Sequence, residues 1–226
     1  TGPKAGGPLY LYRLLGSQPD NASAVTLARQ DAVRPVDTQL KSQLLQPLEA
    51  LSRWAADSRP ALQALCQQFA ERSQTGTQRL LPGPTGERNS WTLMPRERVL
   101  CLADNEQDAL IQLAAVMAVA SEALLPETPM HQQLAQQLPQ EVTQRIAFAP
   151  EETLMTQPFD AVIYHGDSDK LRALCQQVAA RDGAIVSVQG FARGETQLQL
   201  ERLYVERSLS INTAAAGGNA SLMTIG

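Results

Sequence analysis

Val99-Leu100-Cys101-Leu102-Ala103-Asp104 is the stretch on which the architecture of this 226-residue chain turns. Five consecutive apolar residues with no polar alternation suit a strand buried on both faces, as in a parallel sheet. Asp104 followed by Gln107 resembles a helix-initiating capping box. The run beyond it, through Leu110, Ile111, Leu113, Val116, Met117 and Val119, predicts a helix continuing to Leu125. That helix is apolar almost all round, so it needs cover on most sides.

The same grammar repeats downstream. A weaker helix is expected over 128–138 and a short strand over 145–148. A second apolar strand, Phe159 to Tyr164, runs into His165-Gly166. Asp167 or Ser168 caps the next helix, whose stripe is Leu171, Leu174, Cys175, Val178 and Ala179 and whose end is Gly183. A further strand follows over 184–188. Strands alternating with helices predict an α/β fold, a Rossmann-like parallel sheet with flanking helices and right-handed crossovers, over roughly residues 98–190.

Upstream, Leu40, Leu44, Leu48, Leu51 and Ala55 recur at helical spacing, and Pro47 among them should kink or split that helix. A second helix has Ser58 near its start, Pro60 in its first turn, the stripe Leu62, Leu65, Cys66 and Phe69, and Gly76 to close it. Pro82-Gly83-Pro84-Thr85-Gly86 excludes a helix and reads as a turn between short strands. After Gly194, the pairs Leu198/Leu200, Leu203/Val205 and Leu209/Ile211 alternate with polar residues and predict two strands. No charge follows Arg207.

Composition narrows the function classes. The net charge of -4 and the 4% aromatic content argue against a phosphate-neutralising or base-stacking surface, so no nucleic-acid partner is expected. Three cysteines without CxxC or Cys-His spacing fit a reducing compartment and leave no metal site in view. Neither a signal peptide nor an apolar run of spanning length is present. The Gly/Pro-rich opening Thr1–Pro8 reads as an internal point of a longer protein.

Few residues carry chemistry. His131 and His165 stand far apart, and neither has a third ligand near it in sequence. His165 is the more interesting, because ligands of open α/β sheets bind at the carboxyl ends of strands. Gly166, Asp167 and Ser168 join a strand to a helix N-terminus, where backbone amides hold phosphates. Yet there is no G-x-G-x-x-G, and the Asp167 carboxylate would repel a phosphate, so an ordinary turn with an N-cap is the preferred account. Cys66, Cys101 and Cys175 are all expected to be buried core thiols. The uncharged tail, with Ala214, Ala215, Ala216, Gly217, Gly218, Asn219, Leu222 and Met223, allows close backbone approach and needs apolar cover. It is expected to dock on a partner surface.

Several of these strings resemble a known family. Thr1–Pro8 followed by Leu9-Tyr10-Leu11 resembles the end of the aldehyde dehydrogenase module in the proline utilization A family of bacterial bifunctional enzymes. Gly83-Pro84-Thr85-Gly86-Glu87-Arg88-Asn89 resembles the start of that family's extra C-terminal domain, and residues 212–225 its terminal motif. Val162-Ile163-Tyr164-His165-Gly166-Asp167-Ser168 sits where the aldehyde dehydrogenase superfamily has a strand and a Gly-Ser loop contacting NAD. The pattern then departs. Residues 184–194 hold no Asp or Glu where that superfamily places its general base, and no cysteine follows Cys175 to serve as nucleophile. The resemblance thus implies a degenerate copy with no catalytic residues and no cofactor of its own, with Gly166, Asp167 and Ser168 as vestigial candidates. A vestigial or regulatory dinucleotide-binding module is the alternative.

The resemblance further implies a division into 1–16, the end of the catalytic module; 17–78, a connector and helical segment; 79–207, the Rossmann-like domain; and 208–226, a docking segment. It implies a cytoplasmic parent enzyme that oxidises proline on FAD and then the semialdehyde to glutamate with NAD, channelling the intermediate. The fragment would be a lid and assembly piece. Its partners would be the dehydrogenase module of the same polypeptide and a second protomer. The resemblance also admits DNA binding by the parent through an N-terminal segment, and a peripheral association with the inner membrane.

Overall fold

The computed structural model describes residues 9–10, 38–81 and 83–213. Two helices come first, α1 (Thr38–Ala55) and α2 (Pro60–Arg72). Three strands follow, β1 (Gln78–Leu81), β2 (Glu87–Pro95) and β3 (Arg98–Ala103), then α3 (Glu106–Ala118) and β4 (Glu122–Pro126). Next come α4 (Pro129–Gln137), the single turn α5 (Gln140–Thr143), β5 (Ile146–Ala149), a 3-10 segment (Glu151–Thr156) and β6 (Ala161–His165). The last elements are α6 (Ser168–Ala179), β7 (Ser187–Phe191), a second 3-10 segment (Leu200–Leu203) and β8 (Tyr204–Asn212).

The parallel sheet has five strands in the order β5-β4-β3-β6-β7. β3 lies at its centre, with Leu100 opposite Leu124 of β4 and Val162 of β6. The chain winds outward from β3 in one direction and then from β6 in the other, which is the doubly wound order with its switch point between β3 and β6. The pleat divides the strand residues between two faces. Val99, Cys101, Ala123, Leu125, Ala161 and Ile163 share a core with α3, with α1 and α2 behind it. Leu100, Leu124, Val162 and Tyr164 face Leu174 and Val178 of α6 on the other side. The stacking of α1 and α2 outside α3 explains why α3 is buried at every position from Asp108 to Ala118.

Several expectations need correction. The helix after β3 does not reach Leu125; it ends at Ala118, and residues 122–126 form the parallel strand β4. The break is a Schellman motif: Ala120 N–H donates to Met117 O and Ser121 N–H to Val116 O. Ala120 takes the left-handed position at φ 60 that glycine usually fills, so no Gly or Pro marked the stop. The N-cap of α3 is Asn105, whose side chain accepts from the Asp108 amide, not Asp104 with Gln107. Pro47 lies inside one unbroken helix. α2 starts at Pro60, just past Ser58 as expected, but it is not closed by Gly76: its C-cap is Ser73, with Gly76 (φ 80) in the turn that follows. The expected strand over 184–188 is shifted to 187–191, and Ile185 is 86% exposed.

Among the described residues, one strand forms after Gly194. Leu200–Leu203 is 3-10, and β8 pairs antiparallel with β2 across more than a hundred residues, Ser90 opposite Leu209 and Leu93 opposite Glu206. With β1 this makes the sheet β1-β2-β8. Trp91, Leu93 and Tyr204 carry its inner face into the core shared with α1, α2 and α3, beside Leu203 of the 3-10 segment. Residues 208–212 of β8 are exposed on both faces.

Candidate functional site

The switch point directs attention to the carboxyl ends of β3 and β6, where Ala103 and His165 lie side by side. His165 is fully buried at the end of β6. Its Nδ1 lies 2.8 Å from Gln112 Nε2, its Nε2 lies 2.9 Å from Glu195 O, and its ring stacks on Phe191 at 5.3 Å between centroids. The ring is therefore engaged on both nitrogens and one face.

The crevice above it is crossed by the segment that leaves β7. Gly194 N–H donates to Asp108 Oδ1 at 2.8 Å, and Asn105 Nδ2 donates to Asp108 Oδ2 at 2.6 Å, so both carboxylate oxygens of this buried aspartate are used. Arg193 meets Asp104 at 3.2 Å, and Lys170 of α6 meets the same carboxylate at 3.5 Å. Exposed ion pairs contribute little each. Gly194–Asp108 and His165–Glu195 are hydrogen bonds to buried side chains and are the stronger ties.

The turn over residues 166–168 has equally local explanations. Asp167 caps α6, its Oδ1 accepting from the amides of Asp169 at 3.1 Å and Lys170 at 2.8 Å. The Lys170 amide first, then the Lys170 charge and the Asp169 amide, hold its carboxyl below the ordinary range. A Cβ on Gly166 would collide with the Tyr164 hydroxyl and ring edge, so any other residue here would have to push Tyr164 aside. Burial, and then the Asp167 and Asp104 carboxylates, raise the Tyr164 pKa. A pyrophosphate in this turn would compete with Asp167 for the same amides and meet its charge. The residues present do not fit a dinucleotide in this arrangement.

The remaining candidates are dispersed. His131 is buried in α4, with Nδ1 2.9 Å from Thr128 Oγ1, and burial lowers its pKa. Cys66 and Cys101 are buried as expected, and burial pushes the Cys66 thiol up to about 12 and that of Cys101 higher still. Cys175 is exposed, contrary to expectation, because α6 has only one face against the sheet and its buried positions are Leu174 and Val178. The tail residues Ala214, Ala215, Ala216, Gly217, Gly218, Asn219, Leu222 and Met223 lie outside the described residues. Among the described residues there is no group of three or more potential metal ligands, and no helix is long and apolar enough to cross a membrane.

Sequence reasoning missed Asp108, Gln112 and the segment 192–196. The available signals were two polar residues, four apart, on an otherwise apolar helix, and a Gly-containing turn just past a strand.

Fold and site together define a doubly wound α/β unit whose switch point is bridged by its own chain. No family model matches the sequence. It is 73% identical over all 226 residues to the bifunctional protein PutA of Salmonella typhimurium and 71% identical over the same length to that of Escherichia coli, covering 17% of each. Over its whole length the chain is similar to a stretch of the bifunctional PutA proteins, and it spans about a sixth of each. Among solved structures it is similar to a putative aldehyde dehydrogenase from Burkholderia cenocepacia, at TM-score 0.49 and 14% identity over 70% of this chain and 40% of that one.

Proposed function

We propose that this chain is a non-catalytic lid and assembly segment of a bifunctional enzyme that oxidises proline to glutamate. In that enzyme a FAD-dependent proline dehydrogenase and an NAD-dependent semialdehyde dehydrogenase lie elsewhere in the polypeptide. The similarity along the full chain supports the parent. The observation that carries the non-catalytic role is the bridged switch point: Gly194 on Asp108 and Glu195 on His165 occupy the place where an open α/β sheet takes its ligand. Thiol attack on an aldehyde needs a thiolate beside a hydride acceptor. Cys101, the thiol in the central strand, is buried and has its pKa raised well above the ordinary value.

Within this reading, residues 1–16 end the catalytic module, 17–78 connect, 79–207 form the domain and 208–226 dock onto the dehydrogenase. Deleting residues 214–226, which leaves β8 whole, from the whole enzyme is expected to slow coupled proline-to-glutamate flux or loosen assembly, while each half-reaction keeps its own rate. Unchanged flux and assembly would refute the lid role. Calorimetry of the 226-residue chain with NAD is expected to give no saturable heat; saturable binding in the micromolar range would favour a regulatory dinucleotide module instead.

A further inference from the structure

The hydrogen bonds around His165 determine its protonation state without any titration. Leu102 O can only accept, and Gln112 Nε2 lies 2.8 Å from it, so this atom is the amide nitrogen. The same nitrogen lies 2.8 Å from His165 Nδ1 and donates there too, which leaves Nδ1 as an acceptor without a proton. The proton is on Nε2 and is donated to Glu195 O at 2.9 Å. A four-member chain thus runs from the end of the central strand, through α3 and β6, to the segment that crosses the crevice.

A second proton, taken from solvent at Nδ1, has no acceptor. It would point at the Gln112 amide hydrogens. Turning the Gln112 amide over would offer Oε1 to the ring but would set that oxygen against Leu102 O. The imidazolium would also be a charge with no exposed surface. The charged groups around the crevice are Asp104 and Asp108 from β3–α3, Asp167 and Lys170 from β6–α6, and Arg193 and Glu195 on the crossing segment. Asp108 is already committed to Gly194 and Asn105, Asp104 to Arg193 and Lys170, and Asp167 to the α6 amides. Gln112 and His165 sit on regular elements in the core. Residues 192–194 are exposed, so this segment is the part free to give way.

We propose that residues 192–196 form a strap over the β3–β6 crevice whose closure depends on neutral His165, and that proton uptake by His165 releases it. The chain has only two histidines, so a histidine-dependent response can be assigned by replacing each in turn. This makes the device separable by experiment. Hydrogen exchange of the 226-residue chain, corrected for the intrinsic pH dependence of amide exchange, would be followed in peptides spanning 192–198 and in β3 at about pH 7.5 and 5.5.

The strap is expected to exchange about tenfold faster at the lower pH, the order set by one coupled proton over a pH unit, with β3 changing much less. H131Q should keep this response. H165Q, which cannot take up a proton, should abolish it. Equal strap protection at both pH values, or an undiminished response in H165Q, overturns the proposal. A second readout needs only wild-type protein: the Gly194 and Thr196 amide resonances should titrate with the midpoint of the His165 ring, and midpoints that differ overturn it.

Discussion

Replacing Tyr204 by phenylalanine tests how the β1-β2-β8 sheet is joined to α2 and α3. Tyr204 opens β8 and is buried, with 1% of its surface exposed. Its hydroxyl accepts from the Gln74 amide at 3.2 Å and lies 2.8 Å from Thr75 Oγ1. Thr75 Oγ1 and Ser73 Oγ also donate to Ala118 O, at 3.0 and 2.6 Å. The network therefore ties the end of α2, the last turn of α3 and the start of β8 together. Y204F keeps the ring and its packing but removes one neutral hydrogen bond and takes the acceptor from a partly buried amide. At roughly 1 kcal/mol for each of these two losses, the cost is about 2 kcal/mol.

Urea denaturation followed by circular dichroism should show the midpoint falling by about 1 M at unchanged slope, for a slope near 2 kcal/mol/M. A fall below about 0.2 M would refute a structural role for the hydroxyl. The pH dependence supplies a second check. Burial raises the Tyr204 pKa to about 12, against an ordinary value near 10. A raised folded-state pKa contributes stability fully present below about pH 10 and lost as pH rises through about 12. The gap between wild type and Y204F should therefore narrow over that range; a gap that stays constant contradicts the assignment.

Two further substitutions probe other parts of the core. His131 is buried neutral with its pKa lowered, so its contribution is present above the ordinary value near 6.5 and is lost as pH falls below it. H131Q should flatten the fall in thermal midpoint between about pH 7 and 5, and an identical fall in both proteins would place the acid sensitivity elsewhere. Asn105 caps α3 by accepting from the Asp108 amide at 2.9 Å and also holds the Asp108 carboxylate. N105A should cost about 1–2 kcal/mol in the same urea assay, and a change under about 0.3 kcal/mol would mean the cap is dispensable.

Legibility followed how local each signal was. β3, β6 and the start of α6, with Asp167 one of two cap candidates, were readable, because apolar runs and an N-cap residue act within one element; the end of α6, expected at Gly183, falls at Ala179. The end of α3 was not. The run from Leu110 to Leu125 is apolar but for Gln112, Ser121 and Glu122 through both a helix and a strand, and the boundary is an alanine in the left-handed conformation rather than a glycine. Cys175 was misplaced because its neighbours Leu174 and Val178 define the buried stripe so narrowly that the position beside Leu174 already faces water. The resemblance reached the vestigial turn at 166–168 but offered no reason for Gly166; that reason is the Tyr164 hydroxyl beneath it.

By itself the sequence determined a parallel α/β sheet, the lack of an Asp or Glu over residues 184–194 and the lack of a cysteine after Cys175, since hydrophobic period and residue type are local properties. The pairing of β8 with β2, the burial of α3 under α1 and α2, and the bridging of the switch point by residues 192–196 were decided only in three dimensions. Each joins groups tens of residues apart or more, and their pairing depends on which backbone amides and carboxylates the folded chain brings within hydrogen-bonding distance.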